Sequence, residues 1–148
     1  MDTKAKLEQA LKTAMRAGDD VTRRTVRMAL AAVRQIEIDK QIVLDEPAVL
    51  AIIQKEIKTR RESVEEARRA NRADIVAATE AEIKILEAFL PPALSAEELQ
   101  ALVAAAIAEV GAASPADMGK VMKVLMPRLA GRVPGDQASA AVRQALQK

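Results

Sequence analysis

The chain has 148 residues, half of them hydrophobic but only one aromatic, so its core must be aliphatic, which suits packed helices better than a sheet sandwich. Because neither cysteine nor histidine occurs, disulfides, thiolate metal sites and serine–histidine or cysteine–histidine mechanisms are excluded. The net charge of +2 is too small to indicate nucleic-acid binding, which would require local clusters of cations.

Four helices are predicted in the first part of the chain. The first spans about residues 3–17 and ends at Gly18, because glycine accepts the left-handed conformation that ends many helices. The second spans about residues 21–40 after a cap at Asp19 or Asp20, and its two apolar stripes predict burial on two sides. One stripe consists of Val21, Thr25, Met28, Ala32 and Ile36, and the other of Val26, Leu30 and Val33.

The third and fourth helices are predicted to form a long antiparallel hairpin. The third begins at Asp45, which caps it, with Pro47 in its first turn. Its apolar stripe continues for roughly 25 residues, whereas helices of globular proteins average about 11 or 12. The fourth begins near Asp74 and ends before Pro91-Pro92, because the residue before a proline avoids helical angles.

Three shorter helices are predicted after the two prolines. Ser95 and Glu98 form a capping box at the start of the first, which ends at Gly111. The second opens with a cap and a first-turn proline at Pro115, and the third begins near Asp136.

These elements predict an all-α protein with two domains. Residues 1–91 form a helical N-terminal domain that contains the long antiparallel hairpin, and residues 92–148 form a small C-terminal three-helix bundle. The charged N-terminal segment has no apolar run of signal-peptide length, and no stretch of 18 uncharged apolar residues occurs. We therefore expect no membrane contact and a cytoplasmic location.

The residue types present favour a non-catalytic protein. Aspartate and glutamate are the plausible acid–base groups, and most of them alternate with lysine and arginine on predicted solvated faces. Neither a GxGxxG nor a GxxxxGK[ST] phosphate loop occurs, and the fourth helix lacks the Glu-x-x-His motif of di-iron bundles. We therefore predict no catalytic residue, no metal site and no cofactor.

Glycines and prolines interrupt the sixth predicted helix and the turn that follows it. Glycine and proline inside a helix cost about 1 and 3 kcal/mol relative to alanine, so these positions have another use, such as close backbone approach to a partner. The alternative makes Gly119 a helix-packing contact, Pro127 a kink and Gly131 a C-cap. Basic side chains flank the glycines and favour phosphate contact. The candidate RNA-binding residues are Lys120, Lys123, Arg128, Arg132, Gly119 and Gly131.

A secondary basic patch is predicted on the second helix and at the tip of the hairpin. Without aromatic platforms for base stacking, the expected mode is recognition of the shape and backbone of a folded RNA. The alternative is a solvated face balanced by acids, which is favoured for the basic residues of the third helix. The patch consists of Arg23, Arg24, Arg27, Arg68, Arg69 and Arg72, with Arg34 on the stripe of Arg23 and Arg27. The basic residues of the third helix are Lys55, Lys58, Arg60 and Arg61.

Residues 118–146 resemble the tail of the B subunit of glutamine-dependent aminoacyl-tRNA amidotransferase, and nearly the whole chain is similar to the free-standing branch of the GatB/YqeY family. The resemblance implies an all-helical fold and a tRNA-binding tail, and the catalytic domains of the enzyme have no counterpart here. The tail resemblance rests on Met118, Gly119, Val121, Met122, Leu125, Gly131, Arg132, Pro134, Gly135, Val142 and Leu146. The remaining similarity rests on Arg24, Arg27, Met28, Glu56, Arg60, Ser63, Glu82, Leu86, Leu90, Pro91, Leu94, Ser95 and Leu99.

Three functional hypotheses follow. The leading one is a non-catalytic protein that binds tRNA or another structured RNA. The second is a protein-interaction module in which the tip of the hairpin and the methionines Met118, Met122 and Met126 dock on an amidotransferase or an aminoacyl-tRNA synthetase. The third is a carbon–nitrogen ligase with glutamine as amido donor, which would need ATP and ammonia sites that the sequence does not reveal.

Overall fold

The computed structural model describes residues 1–147, and seven α-helices and one 3-10 turn are its regular elements in this range. The prediction of an all-α protein is therefore confirmed. The chain divides into two compact units, Met1–Leu90 and Pro91–Lys148. The helices are α1 (Thr3–Ala17), α2 (Asp20–Lys40), α3 (Glu46–Arg69), α4 (Ala73–Glu87), α5 (Ala96–Val110), α6 (Met118–Leu129) and α7 (Gly135–Leu146), and the 3-10 turn is Pro115–Asp117.

Aspartate side chains cap the first three helices. The carboxylates of Asp2, Asp19 and Asp45 each accept the backbone N–H three residues further on, at 2.8, 3.1 and 3.0 Å. Asp19, and not Asp20, is therefore the cap of α2. Gly18 ends α1 in the left-handed region with φ 68°, as the sequence predicts.

Aliphatic side chains from all four helices form the core of the first unit. Leu7 of α1, Val26 and Val33 of α2, Ile53 of α3 and Leu86 of α4 are completely buried. Burial of this kind contributes about 1.5–3 kcal/mol for each such side chain, so the core holds the four helices in their arrangement.

The prediction that α2 is buried on two sides is confirmed only in part. Met28 and Val21 belong to one of its two apolar stripes, yet they are 51% and 37% exposed. Thr25 of that stripe is completely buried, and Ala32 and Ile36 pack on the core, so exposure is confined to the outer part of the stripe. The outer side of α2 is therefore available for contact.

Helices α3 and α4 lie antiparallel. Near the turn between them, Arg68 Nη2 lies 2.9 Å from Glu80 Oε1, and further from the turn Arg61 Nη2 lies 3.0 Å from Glu87 Oε1. Residue numbers thus rise along one helix as they fall along the other. Asn71 reverses the chain with φ 55°, a conformation that asparagine adopts more readily than most residues.

Helices α5, α6 and α7 pack on one another around the core of the second unit. The predicted capping box begins α5: Glu98 N–H donates to Ser95 Oγ and Ser95 N–H donates to Glu98 Oε2, both at 3.1 Å. Gly111 ends α5 with φ 67°. The completely buried residues of this core are Ala106, Val121, Leu125, Leu129, Ala138 and Val142.

Among residues 1–147, no single helix is long and apolar enough to cross a membrane. Helix α5 and the segment Pro115–Leu129 meet the length and composition requirements only as a pair that is bent by 93°.

Candidate nucleic-acid interface

The outward face of α6 carries two exposed lysines. Val121, Leu125 and Leu129 point into the core with no exposed surface, and helical spacing places Lys120 and Lys123 on the opposite side. No acidic residue occurs from residue 118 to residue 135. Helix α6 therefore presents a cationic face that its own sequence does not neutralise.

Two of the predicted RNA-binding arginines are engaged within the second unit. Arg128 pairs with Glu109 of α5. Arg132 donates its Nε–H to the carbonyl of Pro92 at 2.9 Å, and its Nη2 lies 3.8 Å from Glu98. Both arginine side chains remain 38% exposed. Arg128 thus joins α6 to α5, and Arg132 joins the turn after α6 to the start of α5 and to the segment that precedes α5.

The structure distinguishes the two glycines of the predicted site. A Cβ built at Gly119 would meet no atom within 4 Å, so Gly119 is not a contact between crossed helices, and that alternative is wrong. Ala130 ends α6 with φ 49°, and Gly131 follows in the left-handed region with φ 76°. Glycine at position 131 is thus explained by the backbone turn, whereas Gly119 has no such explanation.

An acidic side chain lies at the start of α6. Asp117 accepts the backbone N–H groups of Ala113 at 3.0 Å and Ser114 at 3.4 Å. These bonds, in that order, hold the pKa of Asp117 below its ordinary value of 3.8, and the charge of Lys120 adds to the effect. Within residues 1–147 no ion pair joins Asp117 to Lys120, so Asp117 acts on Lys120 only through its charge.

The hairpin tip of the secondary patch is largely neutralised by its own acids. Arg68 pairs with Glu65 at 2.8 Å and with Glu80 at 2.9 Å. Arg72 pairs with Asp74 at 3.0 Å, and this hydrogen-bonded pairing lowers the pKa of the aspartate. Arg69 has no hydrogen bond or ion pair in the part of the chain that the structure describes.

The α2 part of the secondary patch is neutralised less completely. Arg23 pairs with Asp20 at 3.0 Å within the same helix. Arg24 lies 3.7 Å from Glu82 of α4, a long separation for an ion pair, and keeps 58% of its side chain exposed. Arg27 is exposed and has no ion pair within residues 1–147.

Sequence reasoning missed a buried arginine in α3. The sequence favours a solvated basic face for Arg60, but Arg60 is 7% exposed. Its Nη1 lies 2.7 Å from Glu56, its Nε lies 3.2 Å from Glu82, and its Nη2 lies 3.7 Å from the sulfur of Met28. A signal was present in the sequence, because residue 60 falls on the apolar stripe of α3, three residues after Ile57.

The structure offers two further facts about possible ligands. Within residues 1–147, no group of three or more acidic side chains is placed to hold a metal ion. Helices α1 and α2 border a mostly apolar cavity of about 380 Å³ whose lining includes Lys6, Asp19 and Thr22. Asp19 and Thr22 hydrogen-bond each other at 2.6 Å, so these two groups serve the start of α2.

Comparison with known proteins gives a consistent set of relatives. A family model described as Yqey-like protein matches residues 4–146. The altered inheritance of mitochondria protein 41 of Lachancea thermotolerans is 36% identical over 118 residues, which cover 78% of this chain and 63% of that protein. Proteins of the same name from Eremothecium gossypii and Pyrenophora tritici-repentis are 38% and 30% identical over 103 and 131 residues.

The relatives differ from this chain in two respects. The match with the first two covers 63% and 56% of their own lengths, so this chain corresponds to part of those proteins. Their names also describe them as mitochondrial, so the prediction of a simply cytoplasmic protein is contradicted.

Proposed function

Because the chain belongs to the Yqey-like protein family, we propose that it is a non-catalytic protein that binds tRNA or another structured RNA through the outward face of α6. The observation that carries the proposal is the pair Lys120 and Lys123 on an exposed helix face that has no acid between residues 118 and 135. The resemblance of residues 118–146 to a tRNA-binding tail supports it, because the same residues build α6 and α7.

The chemistry of the face suits contact with phosphates. Lysine ammonium groups bind phosphate as point charges, and contacts of this kind hold a protein on a nucleic acid without reading its sequence. Gly119 lies one position before Lys120, and its missing side chain leaves the first turn of α6 open. A phosphate group can therefore approach the backbone as well as the two lysines.

The test is the salt dependence of binding to unfractionated tRNA, measured by mobility shift or filter binding at several salt concentrations. Each phosphate contact contributes about 0.7–0.9 to the slope of log affinity against log salt. Affinity falls as salt rises, and the Lys120→Gln/Lys123→Gln double variant is expected to reduce the magnitude of that slope by about 1.4–1.8, since it removes two contacts. A wild-type protein without salt-dependent binding, or an unchanged slope in the variant, contradicts the proposal.

A matched control removes the same charge from another helix. Lys55 and Lys58 are exposed on α3 and are followed by Glu62 on the same face. The Lys55→Gln/Lys58→Gln variant has the same net charge as the α6 variant. Equal slopes in the control and the wild type are expected, and they separate a local contact from an effect of total charge.

Besides the hairpin tip, the protein-interaction alternative depends on the exposure of three methionines of α6. Met118 and Met122 are half-buried against the core of the second unit, whereas Met126 is 41% exposed. This placement favours a packing role for two of the three methionines. A pull-down after nuclease treatment separates the hypotheses, because partners held through RNA are lost and a directly bound synthetase or amidotransferase is retained.

A further inference from the structure

The outward side of α2 carries a row of arginines without acids. From residue 21 to residue 36 the helix contains four arginines and no aspartate or glutamate. Arg24, Arg27 and Arg34 are exposed, and helical spacing places them away from the buried Val26 and Val33. At a rise of 1.5 Å per residue, Arg24 and Arg34 lie about 15 Å apart along the helix.

The acids near this row are already committed to other groups. Glu37 accepts hydrogen bonds from Lys4 Nζ at 2.9 Å and from the N–H of Leu44 at 2.9 Å, so it acts on Arg34 only through its charge. Glu82 is bound to the buried guanidinium of Arg60 and lies 3.7 Å from Arg24. The guanidinium groups of the row therefore keep most of their hydrogen-bond donors free.

We propose that this arginine face, defined by Arg24, Arg27 and Arg34, is a second phosphate-binding surface for the structured RNA, an inference that rests on the proposed function. The guanidinium fork binds two phosphate oxygens at once, which a lysine does not. Ala31, which lies between Arg27 and Arg34 on the same exposed side, leaves room for a phosphate backbone to approach the helix. A duplex backbone presents phosphates at the density needed to meet three cations within this length.

Two separate cationic surfaces on one chain have a predictable effect on affinity. Each phosphate contact at the arginine face releases counterions and adds to the salt dependence of binding. A single-stranded RNA has no fixed spacing of phosphates, and helix α2 has no aromatic side chain on which its bases could stack. Single-stranded RNA is therefore expected to bind more weakly than structured RNA. Structured RNA is therefore the occupant that the spacing and charge of the row favour.

The experiment compares charge-matched variants of the full chain with unfractionated tRNA as the probe. Arg27→Gln/Arg34→Gln is expected to reduce the magnitude of the slope of log affinity against log salt by about 1.4–1.8, because two phosphate contacts are lost. Combination with Lys120→Gln/Lys123→Gln is expected to lower it by about 3. The Lys55→Gln/Lys58→Gln variant is the control for total charge. All four changed positions of the combined variant are exposed, and far-UV circular dichroism checks that each variant is folded.

The outcomes separate this inference from the proposed function. If Lys120→Gln/Lys123→Gln lowers the slope but Arg27→Gln/Arg34→Gln leaves it at the control value, the α6 site stands and the arginine face is not a phosphate site. If the wild type shows no salt-dependent binding, both fail. If Arg27→Gln/Arg34→Gln abolishes salt-dependent binding of polyglutamate but leaves the tRNA slope at the control value, the surface binds an acidic polypeptide and the inference is overturned.

Discussion

The guanidinium of Arg60 donates its Nε–H to Oε2 of Glu82 across 3.2 Å, and this bond joins α3 to α4. The arginine is 7% exposed, so its charge depends on protein partners rather than on water. Glu56 supplies a second partner from the preceding turn of α3, at 2.7 Å. Arg24 of α2 approaches the same Glu82, so one carboxylate is shared by three helices.

Removal of Arg60 is expected to destabilise the first unit strongly. Arg60→Met leaves Glu56 and Glu82 close together without their shared cation. The two carboxylates are 24% and 19% exposed, so the expected cost is about 1.5–3 kcal/mol, the value of hydrogen bonds to charged groups. The neighbouring Arg61→Met is the control, because the Arg61–Glu87 pair is 55% and 44% exposed and such pairs contribute about 0–1 kcal/mol. Free energies of unfolding from urea titrations measure both. Equal losses in the two variants would show that burial of Arg60 is not decisive.

A second prediction concerns the start of α5. Ser95→Ala removes the side-chain acceptor of the Glu98 N–H and is expected to lower the stability of the second unit by about 1 kcal/mol. Ser63→Ala is the matched control, since Ser63 is exposed within α3 and donates only to the carbonyl of Thr59. That change is expected to stay within about 0.5 kcal/mol. Urea unfolding followed by circular dichroism tests the pair, and a control as costly as Ser95→Ala would contradict the capping role.

Acid sensitivity is expected from Glu37. The hydrogen bond from Lys4 Nζ, together with that from the Leu44 N–H, holds the pKa of Glu37 below its ordinary value of 4.5. A carboxyl whose pKa is lower in the folded state stabilises the fold above pH 4.5 and loses that contribution as the pH falls through the folded-state pKa. Glu37→Gln is therefore expected to show a shallower fall of Tm below pH 4.5 than the wild type. Lys4→Met should flatten the profile in the same direction, and unchanged profiles in both variants would contradict this assignment.

The parts of the fold that sequence reasoning recovered depend on residues that are close in the chain. The capping box of Ser95 and Glu98 and the left-handed end of α1 at Gly18 involve groups within one helical turn, and both are present. Such signals are local because the backbone groups they satisfy are local. The all-α class followed from the helical period of apolar residues together with these end signals.

The parts that sequence reasoning missed depend on residues that are far apart in the chain. The apolar stripe of α3 includes residue 60, but its ion-pair partner Glu82 in α4 is 22 residues away. Arg132 was assigned to phosphate contact, and its acceptor at Pro92 lies 40 residues away. Spacing along one helix predicts which face a residue occupies, but it does not predict which charged side chain of a neighbouring helix lies beside it. The charges that remain for a ligand could therefore be identified only from the structure.

The last prediction separates stability from binding at Gly119. Gly119 has a helical backbone, and a Cβ there meets nothing within 4 Å, so Gly119→Ala is expected to raise stability by about 0.4–1 kcal/mol through a less flexible unfolded chain. Gly111→Ala is the control of opposite sign, because φ 67° at Gly111 costs alanine about 1–2 kcal/mol. If an RNA backbone approaches the first turn of α6 closely, Gly119→Ala weakens tRNA binding although the protein is more stable. Urea unfolding and mobility shift on the same preparations test both halves. Higher stability with unchanged tRNA affinity would remove Gly119 from the interface and leave Lys120 and Lys123 as its centre.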